Sequence, residues 1–462
     1  MVTLSQESSP NLPTGLDGLI KIQASLGSHV HLEGSCVSPE QANKVESTGK
    51  PWPDFLARLQ TGSIQEKLIR ACLNPEYPGP KMEEPPFYDL IKRMEQDSIP
   101  LSPEVISMMS YTYQLGKQTS RILKLCGDGP TTPVMVSPHN ASVDINGFTT
   151  LSAKGITPSL SAKYGGDKFP PSFQPLTLEQ YLSALCLGLG RPVVVSLRRE
   201  QSDAEGWYLT NPQNPKTLKF VKQLSDLKNA GLIAGVDIAG DENNLPTAEM
   251  TGFLGLLRGD HPTDNLISSI HAGEEGIDRA AYGLGNIVDA LDLDVPEIGH
   301  ALSLWFLLAA DENDPALAQQ RTEIDQIAAK KLQLKPGAKY ADIAKSVLAK
   351  AKEKGITFQL CMACNQALGL VKQNEVALDI SNHPFIRALR KFGPDIIPLF
   401  PRIIISVDNY SVTGKSAPSQ ILELIPALLK PSAESADIKW SSSDIYKLFK
   451  QITNTSIRPE RE

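Results

Sequence analysis

The sequence predicts an α/β fold, a (β/α)8 TIM barrel, and two observations carry that expectation. Eight short apolar runs rich in β-branched residues recur along the chain, and amphipathic stretches with helical spacing lie between them. The chain has 462 residues, 41% of them hydrophobic and 21% charged, which is enough to bury one barrel core and to carry long excursions from it. The expected organisation is a single domain over 1–462, with helical insertions after strands one and two and before strand seven, at about 35–132, 139–175 and 311–354.

The first strand candidate, Ile22 to His31, is followed by a long segment before the second, Pro133 to Ser137. That segment holds amphipathic pieces, Asp54 to Leu59 and Phe87 to Met94, divided by the proline-rich Pro75 to Pro86. Residues 139–175 are rich in Gly, Ser and Pro. Long loops at the C-terminal face of a barrel commonly form lids and substrate walls, so both segments are expected there. Thr177-Leu178-Glu179-Gln180 reads as a capping box opening a helix with Leu178, Leu182 and Leu185 on one face. Pro192 to Leu197 is the third strand. Phe220, Val221, Leu224 and Leu227 then repeat helical spacing and stop at Gly231, a left-handed cap. Strands four to six are expected over Ile233 to Ile238, Leu266 to His271 and Glu297 to His300. Asp311 to Lys354 reads as helical and charged, with Ile343 and Val347 at helical spacing before Gly355; a solvated outer face is the expectation. Ile356 to Cys361 and Arg402 to Val407 complete the eight.

The net charge of −7 gives no broad basic field for phosphate backbones, which argues against nucleic acid as the main partner. Met1 to Thr14 is polar, with no positive start leading into an apolar run, so it does not read as a secretory signal. No stretch has the apolar length that spans a bilayer. Cys36, Cys72, Cys126, Cys186, Cys361 and Cys364 are too few in so long a chain for a disulfide framework, and several sit in apolar segments. A reduced, soluble, cytoplasmic protein is expected.

Histidines carry the chemistry. His29 and His31 stand two apart on a strand candidate, so both imidazoles share one face and can share one metal ion. Alone, the pair reads sooner as two partly exposed histidines on a strand edge. His271-Ala272-Gly273-Glu274 ends another apolar run; a third imidazole there can close a ligand set, and Glu274 can reach over the same pocket as a proton carrier. Ile298-Gly299-His300 ends the sixth strand candidate. Asp408 follows the run Ile403-Ile404-Ile405 and is costly to bury unless it meets a cation or hydrogen-bond donors; in isolation it would read as a helix N-cap. Gly235 to Glu242, taken alone, is a strand-to-helix turn with acidic residues suited to a helix start.

In this order, and over most of the chain, these pieces resemble the adenosine deaminase family. The resemblance implies that His29, His31, His271 and Asp408 bind one catalytic zinc ion, which activates water for attack on purine C6. Zinc brings the pKa of bound water from about 15.7 toward about 7. It implies further that Glu274 protonates N1, that His300 orients the nucleophile and stabilises its charge, and that Gly240 meets the purine through its backbone amide. Ser137-Pro138-His139, Arg198 and His383-Pro384 match more loosely, as scaffold positions.

Three departures from the family pattern stand out. Asn409 replaces a second Asp that meets purine N7, and an amide can still donate to a ring nitrogen. Glu33 replaces an Asp near the ribose, as in relatives that act on free adenine. Ala301 replaces Gly and narrows the pocket. Cys361-Met362-Ala363-Cys364 has the spacing of a zinc or redox pair. It lacks the partner motif of cytidine-type deaminases and reads as the close of strand seven. The expected activity is hydrolytic deamination of a 6-aminopurine, adenosine first. Adenine or a modified or phosphorylated adenine nucleoside is the alternative substrate, and a zinc-binding, non-catalytic purine-binding protein the alternative class. The expected partner is a small purine nucleoside or base, with no membrane or nucleic-acid role.

Overall fold

The computed structural model describes residues 30–31, 85–99, 134–136, 176–199, 209–259, 264–371, 380–406, 408, 417–429 and 440–453, with single positions or pairs between 101 and 120. Its centre is an eight-stranded parallel sheet in which each strand neighbours the next in sequence. The strands are β1 (Val30–His31), β2 (Val134–Val136), β3 (Val193–Arg198), β4 (Ile233–Ala239), β5 (Ile267–Ala272), β6 (Glu297–His300), β7 (Thr357–Leu360) and β8 (Ile403–Ile405). Every described pairing from β1–β2 to β7–β8 is parallel. Each strand lies within the run expected for it or overshoots that run by a residue, so the α/β class holds; a pairing of β8 with β1 lies outside the described contacts.

Helices fill the connections: α1 (Pro85–Gln96), α2 (Leu178–Leu189), α3 (Pro215–Asn229), α4 (Thr251–Arg258), α5 (Ala280–Asp292), α6 (Leu302–Ala309), α7 (Pro315–Ala318), α8 (Arg321–Leu332), α9 (Tyr340–Glu353), α10 (Met362–Ala367), α11 (Pro384–Phe392), α12 (Ala417–Leu429) and α13 (Ser442–Thr453). The capping box is present at α2: Gln180 N donates to Thr177 Oγ1 at 3.2 Å and Thr177 N to Gln180 Oε1 at 2.9 Å. After α3, Gly231 takes φ +74°, the left-handed stop expected of it. Inside the first insertion, α1 buries Phe87, Leu90, Ile91 and Met94, four positions that share one helical face.

The segment 311–354 keeps the expected solvated face over α8, which buries only Ile324 and Ala328, and departs from it at its last helix. Its last helix, α9, buries Tyr340, Ile343, Ala344, Val347, Leu348 and Ala351, and packs against α6. Its charges tie it to the end of α5: Lys331 of α8 pairs with Asp289, and Lys350 and Lys354 pair with Asp292 and Asp294. α9 therefore belongs to the layer of helices that covers the sheet. The most buried helix, α6, was not foreseen. All eight of its residues are buried, and Trp305 packs edge-on against Phe358, Phe385 and Phe400. A helix apolar on every side must be enclosed, and α6 is held between α5, α9 and α11.

Several expectations fall outside the described residues: His29, Glu33 and Asn409, Asp54 to Leu59, Ser137 to His139, the insertion at 139–175, and the side chains of His31 and Arg198. No helix among the described residues is long and apolar enough to cross a membrane.

Candidate metal centre

Parallel strands that all point the same way bring their C-terminal ends to one face, and side chains from several strands converge there. His271 is the penultimate residue of β5, β6 ends with His300, and Asp408 lies just past β8. Their ligand atoms all lie within 4.8 Å of one another, and all three residues are buried. The two imidazole rings sit 4.9 Å apart, centroid to centroid. His300 Nε2 lies 3.7 Å from Asp408 Oδ2, and His300 Nδ1 lies 3.4 Å from Glu274 Oε1. Four of the expected site residues are thus brought together by three strand ends. Gly240, with φ +96°, lies one residue past β4, the neighbour of β5. His31 is placed in β1 by its backbone, in register with Met135.

The local backbone is unusual. His300, Ala301 and Asp408 have φ of +64°, +48° and +58°, a left-handed conformation that side chains disfavour. Such conformations cost about 1–3 kcal/mol each and cluster at functional sites, where the surrounding structure enforces them. Gly299 has a different role: a Cβ there would come within 3.3 Å of His271 Cδ2, so its absence lets that imidazole lie against β6.

Residues not foreseen hold the histidines in place. Asp237, on β4, is fully buried and accepts hydrogen bonds from Ser196 Oγ at 2.9 Å and Ser269 Oγ at 2.7 Å. Its Oδ2 lies 3.2 Å from His271 Nδ1, which is also 3.3 Å from the Ile238 carbonyl. With Nδ1 engaged by oxygen acceptors, Nε2 is the nitrogen left to coordinate a cation. A carboxylate in the middle of an apolar strand was the available signal, because burying one there demands partners. Arg199 donates to the His271 carbonyl at 2.6 Å and the Leu245 carbonyl at 2.6 Å, tying β5 to the loop after β4. Buried Glu242 accepts the Glu274 backbone N–H at 2.8 Å and so fixes the turn that carries Glu274. Behind His300, Asn365 of α10 touches its Nδ1 at 2.8 Å and reaches His383 Nε2 at 3.4 Å. Cys361 and Cys364 are free, buried thiols whose pKa values burial pushes well up, which suits packing and not redox chemistry.

The electrostatics call for a cation. Burial lowers the His271 pKa, but the charge and hydrogen bond of Asp237, followed by Glu274 and Asp408, bring it up to about 9. Burial pushes Glu274 up to about 8; His271 opposes this, and Asp408, Glu242 and Glu275 add to it. A cluster of carboxylates around two buried imidazoles is expensive unless a positive charge sits among them. Imidazole nitrogen and carboxylate oxygen are also donors that zinc accepts, so the residues present fit such an ion.

Together these features define an α/β protein with a buried His271–His300–Asp408 group that could hold a metal ion at the C-terminal ends of parallel strands. No protein-family model and no curated protein matches the chain. Among solved structures, it is similar to the N6-mAMP deaminase MAPDA of Arabidopsis, with 14% identity, 93% of this chain and 92% of that chain covered, and a TM-score of 0.43. It is similar to the adenine deaminase of Arthrobacter aurescens, with 15% identity, 93% and 98% covered, and a TM-score of 0.42. It is also similar to an amidohydrolase from Burkholderia ambifaria with bound Zn, with 14% identity, 96% and 88% covered, and a TM-score of 0.42. Identities and TM-scores this low leave the reading of this chain to its own residues.

Proposed function

We propose that this chain is a zinc-dependent hydrolase that deaminates a 6-aminopurine, adenosine first, on a closed (β/α)8 barrel, releasing ammonia. The observation that carries the reading is the convergence of His271, His300, Asp408 and Glu274 from the ends of β5, β6 and β8 into one buried group. These are residues that the motif resemblance had picked out from separate parts of the sequence. In this reading His29 and His31, from the first strand, complete the ligand set with His271 and Asp408. A bound zinc supplies an acidified water at neutral pH.

The protein's residues do the rest. Asp237 holds the His271 ring with Nδ1 turned away from the ion. His300 orients the attacking oxygen and offsets its developing charge. Glu274, whose carboxyl pKa burial raises, delivers a proton to purine N1, which makes C6 electrophilic. Gly240, Glu33 and Asn409 contact the substrate around the ring and its N9 substituent.

The test measures metal content together with the absorbance change on offering adenosine, adenine, AMP and N6-methyl-AMP. One zinc per chain and turnover of adenosine is the expected result. Turnover of adenine or a phosphorylated nucleoside instead would reassign the substrate. Bound zinc without any reaction would leave a purine-binding protein, and no bound metal would end the reading. Glu274→Gln is expected to keep its zinc and lose turnover.

A further inference from the structure

Two buried histidines contact the ends of one amide, and hydrogen-bond bookkeeping settles where their protons lie. His383 is the N-cap of α11, and its Nδ1 accepts the backbone N–H of Phe385 at 3.2 Å. A ring nitrogen that accepts carries no proton, so the proton of a neutral His383 is on Nε2. The ring is neutral because Nδ1 accepts, and burial, the larger cause, holds its pKa down at about 3.

His383 Nε2–H therefore donates; the structure sets Asn365 Nδ2 against it at 3.4 Å, donor facing donor, so the amide must be turned over to present its carbonyl oxygen there. The two ends of an amide are distinguished by their partners, and this partner requires an acceptor. That reversal replaces Oδ1, which the structure sets 2.8 Å from His300 Nδ1, with the NH2 group. His300 Nδ1 becomes an acceptor, and a neutral His300 must carry its proton on Nε2, the atom 3.7 Å from Asp408 Oδ2.

We propose that His383 and Asn365 are positioning residues that set the Nε2–H form of His300, so that His300 points a hydrogen-bond donor into the pocket and not a metal-binding lone pair. No proton moves and no bond changes; the relay fixes a tautomer. The consequence is chemical. A lone pair at Nε2 would make His300 one more ligand beside His271 and Asp408. A proton there makes it a donor that can hold an oxygen atom beside the ion. This inference deepens the hydrolase reading above and rests on it for the role of that oxygen, but the proton placement stands on the contacts alone.

The decisive experiment is long-range proton–nitrogen NMR on the zinc-loaded full chain carrying 15N-histidine. The chain has 7 histidines, and loss of signals in His300→Asn and His383→Gln assigns the two rings. In the parent protein both rings should show a protonated Nε2 and an unprotonated Nδ1. Asn365→Asp presents an acceptor at both ends, so His300 should turn to Nδ1–H. Its kcat should fall about 10–100-fold, the usual scale for partners behind a metal site, with KM and zinc content little changed. A protonated Nδ1 on His300 in the parent would overturn the proposal without any variant having to fold. So would an unchanged His300 signal in a folded Asn365→Asp protein. If the parent shows the expected tautomer but turns over no purine, the relay survives and the hydrolase assignment fails.

Discussion

Asp237 shows how one buried charge is made tolerable. Two seryl hydroxyls and one imidazole surround it, each supplying a hydrogen where water has been removed. Removing the carboxylate leaves those donors and the His271 ring without their acceptor, so Asp237→Ala should cost about 3–5 kcal/mol in urea unfolding. It should also weaken zinc binding about 10–100-fold in a competition titration. Wild-type metal affinity in that variant would mean that His271 is oriented by other groups. Nearby Glu275 behaves differently. It is 8% exposed, and burial, opposed by Arg279 at 3.7 Å but reinforced by Glu242, Asp241 and Asp278, pushes its pKa from 4.5 to about 7. Between those values the folded carboxyl holds a proton that the unfolded one releases. Its contribution is therefore full below pH 4.5 and lost as the pH rises through about 7. The slope is at most about 1.4 kcal/mol per pH unit. Glu275→Gln should flatten the stability profile between pH 5 and pH 8; an unchanged profile would assign the slope to another group.

At the scale of elements, the junction of β6 with α6 does the most with the fewest residues. His300 and Ala301 turn left-handed in succession, Ala301 N donates to the Ala272 carbonyl at 3.1 Å, and α6 begins at once. That turn aims His300 at the pocket while burying the helix behind it. A methyl group in this conformation costs about 1 kcal/mol relative to glycine, so Ala301→Gly should raise stability by roughly that amount. A denaturation midpoint that stays put or falls would show that the Ala301 methyl packs well enough to offset its strain. The strands themselves were legible because β-branched runs such as Val193–Val195 and Ile403–Ile405, buried on both faces, end sharply at polar or turn residues. α6 was not, since a helix with apolar residues on every face shows no 3.6-residue period to detect.

Across the whole molecule, the pocket exists only when strands far apart in the chain are in register. His271, His300 and Asp408 belong to β5, β6 and the end of β8, and the sheet between them sets their separation. Metal binding and folding must therefore be linked. Free zinc at about 100 times its dissociation constant should stabilise the fold by about 2.7 kcal/mol. A chelator should accordingly lower Tm, restored zinc should recover it, and His271→Ala should abolish the response. Equal Tm with and without chelator would separate the ion from the fold.

The division between sequence and structure follows from range. Alternation, capping and glycine stops act over a few neighbouring residues, so the strand ends at His271 and His300, the capping box at Thr177 and the stop at Gly231 could be read directly from the chain. The resemblance of separated motifs added which of those ends belong together. Which polar groups stand behind them was decided by packing: Asp237 meets His271 across two strands, and Asn365 joins His300 to His383 across a helix and a loop. No local spacing encodes such contacts, because each depends on the register of a sheet whose strands are set by the whole core.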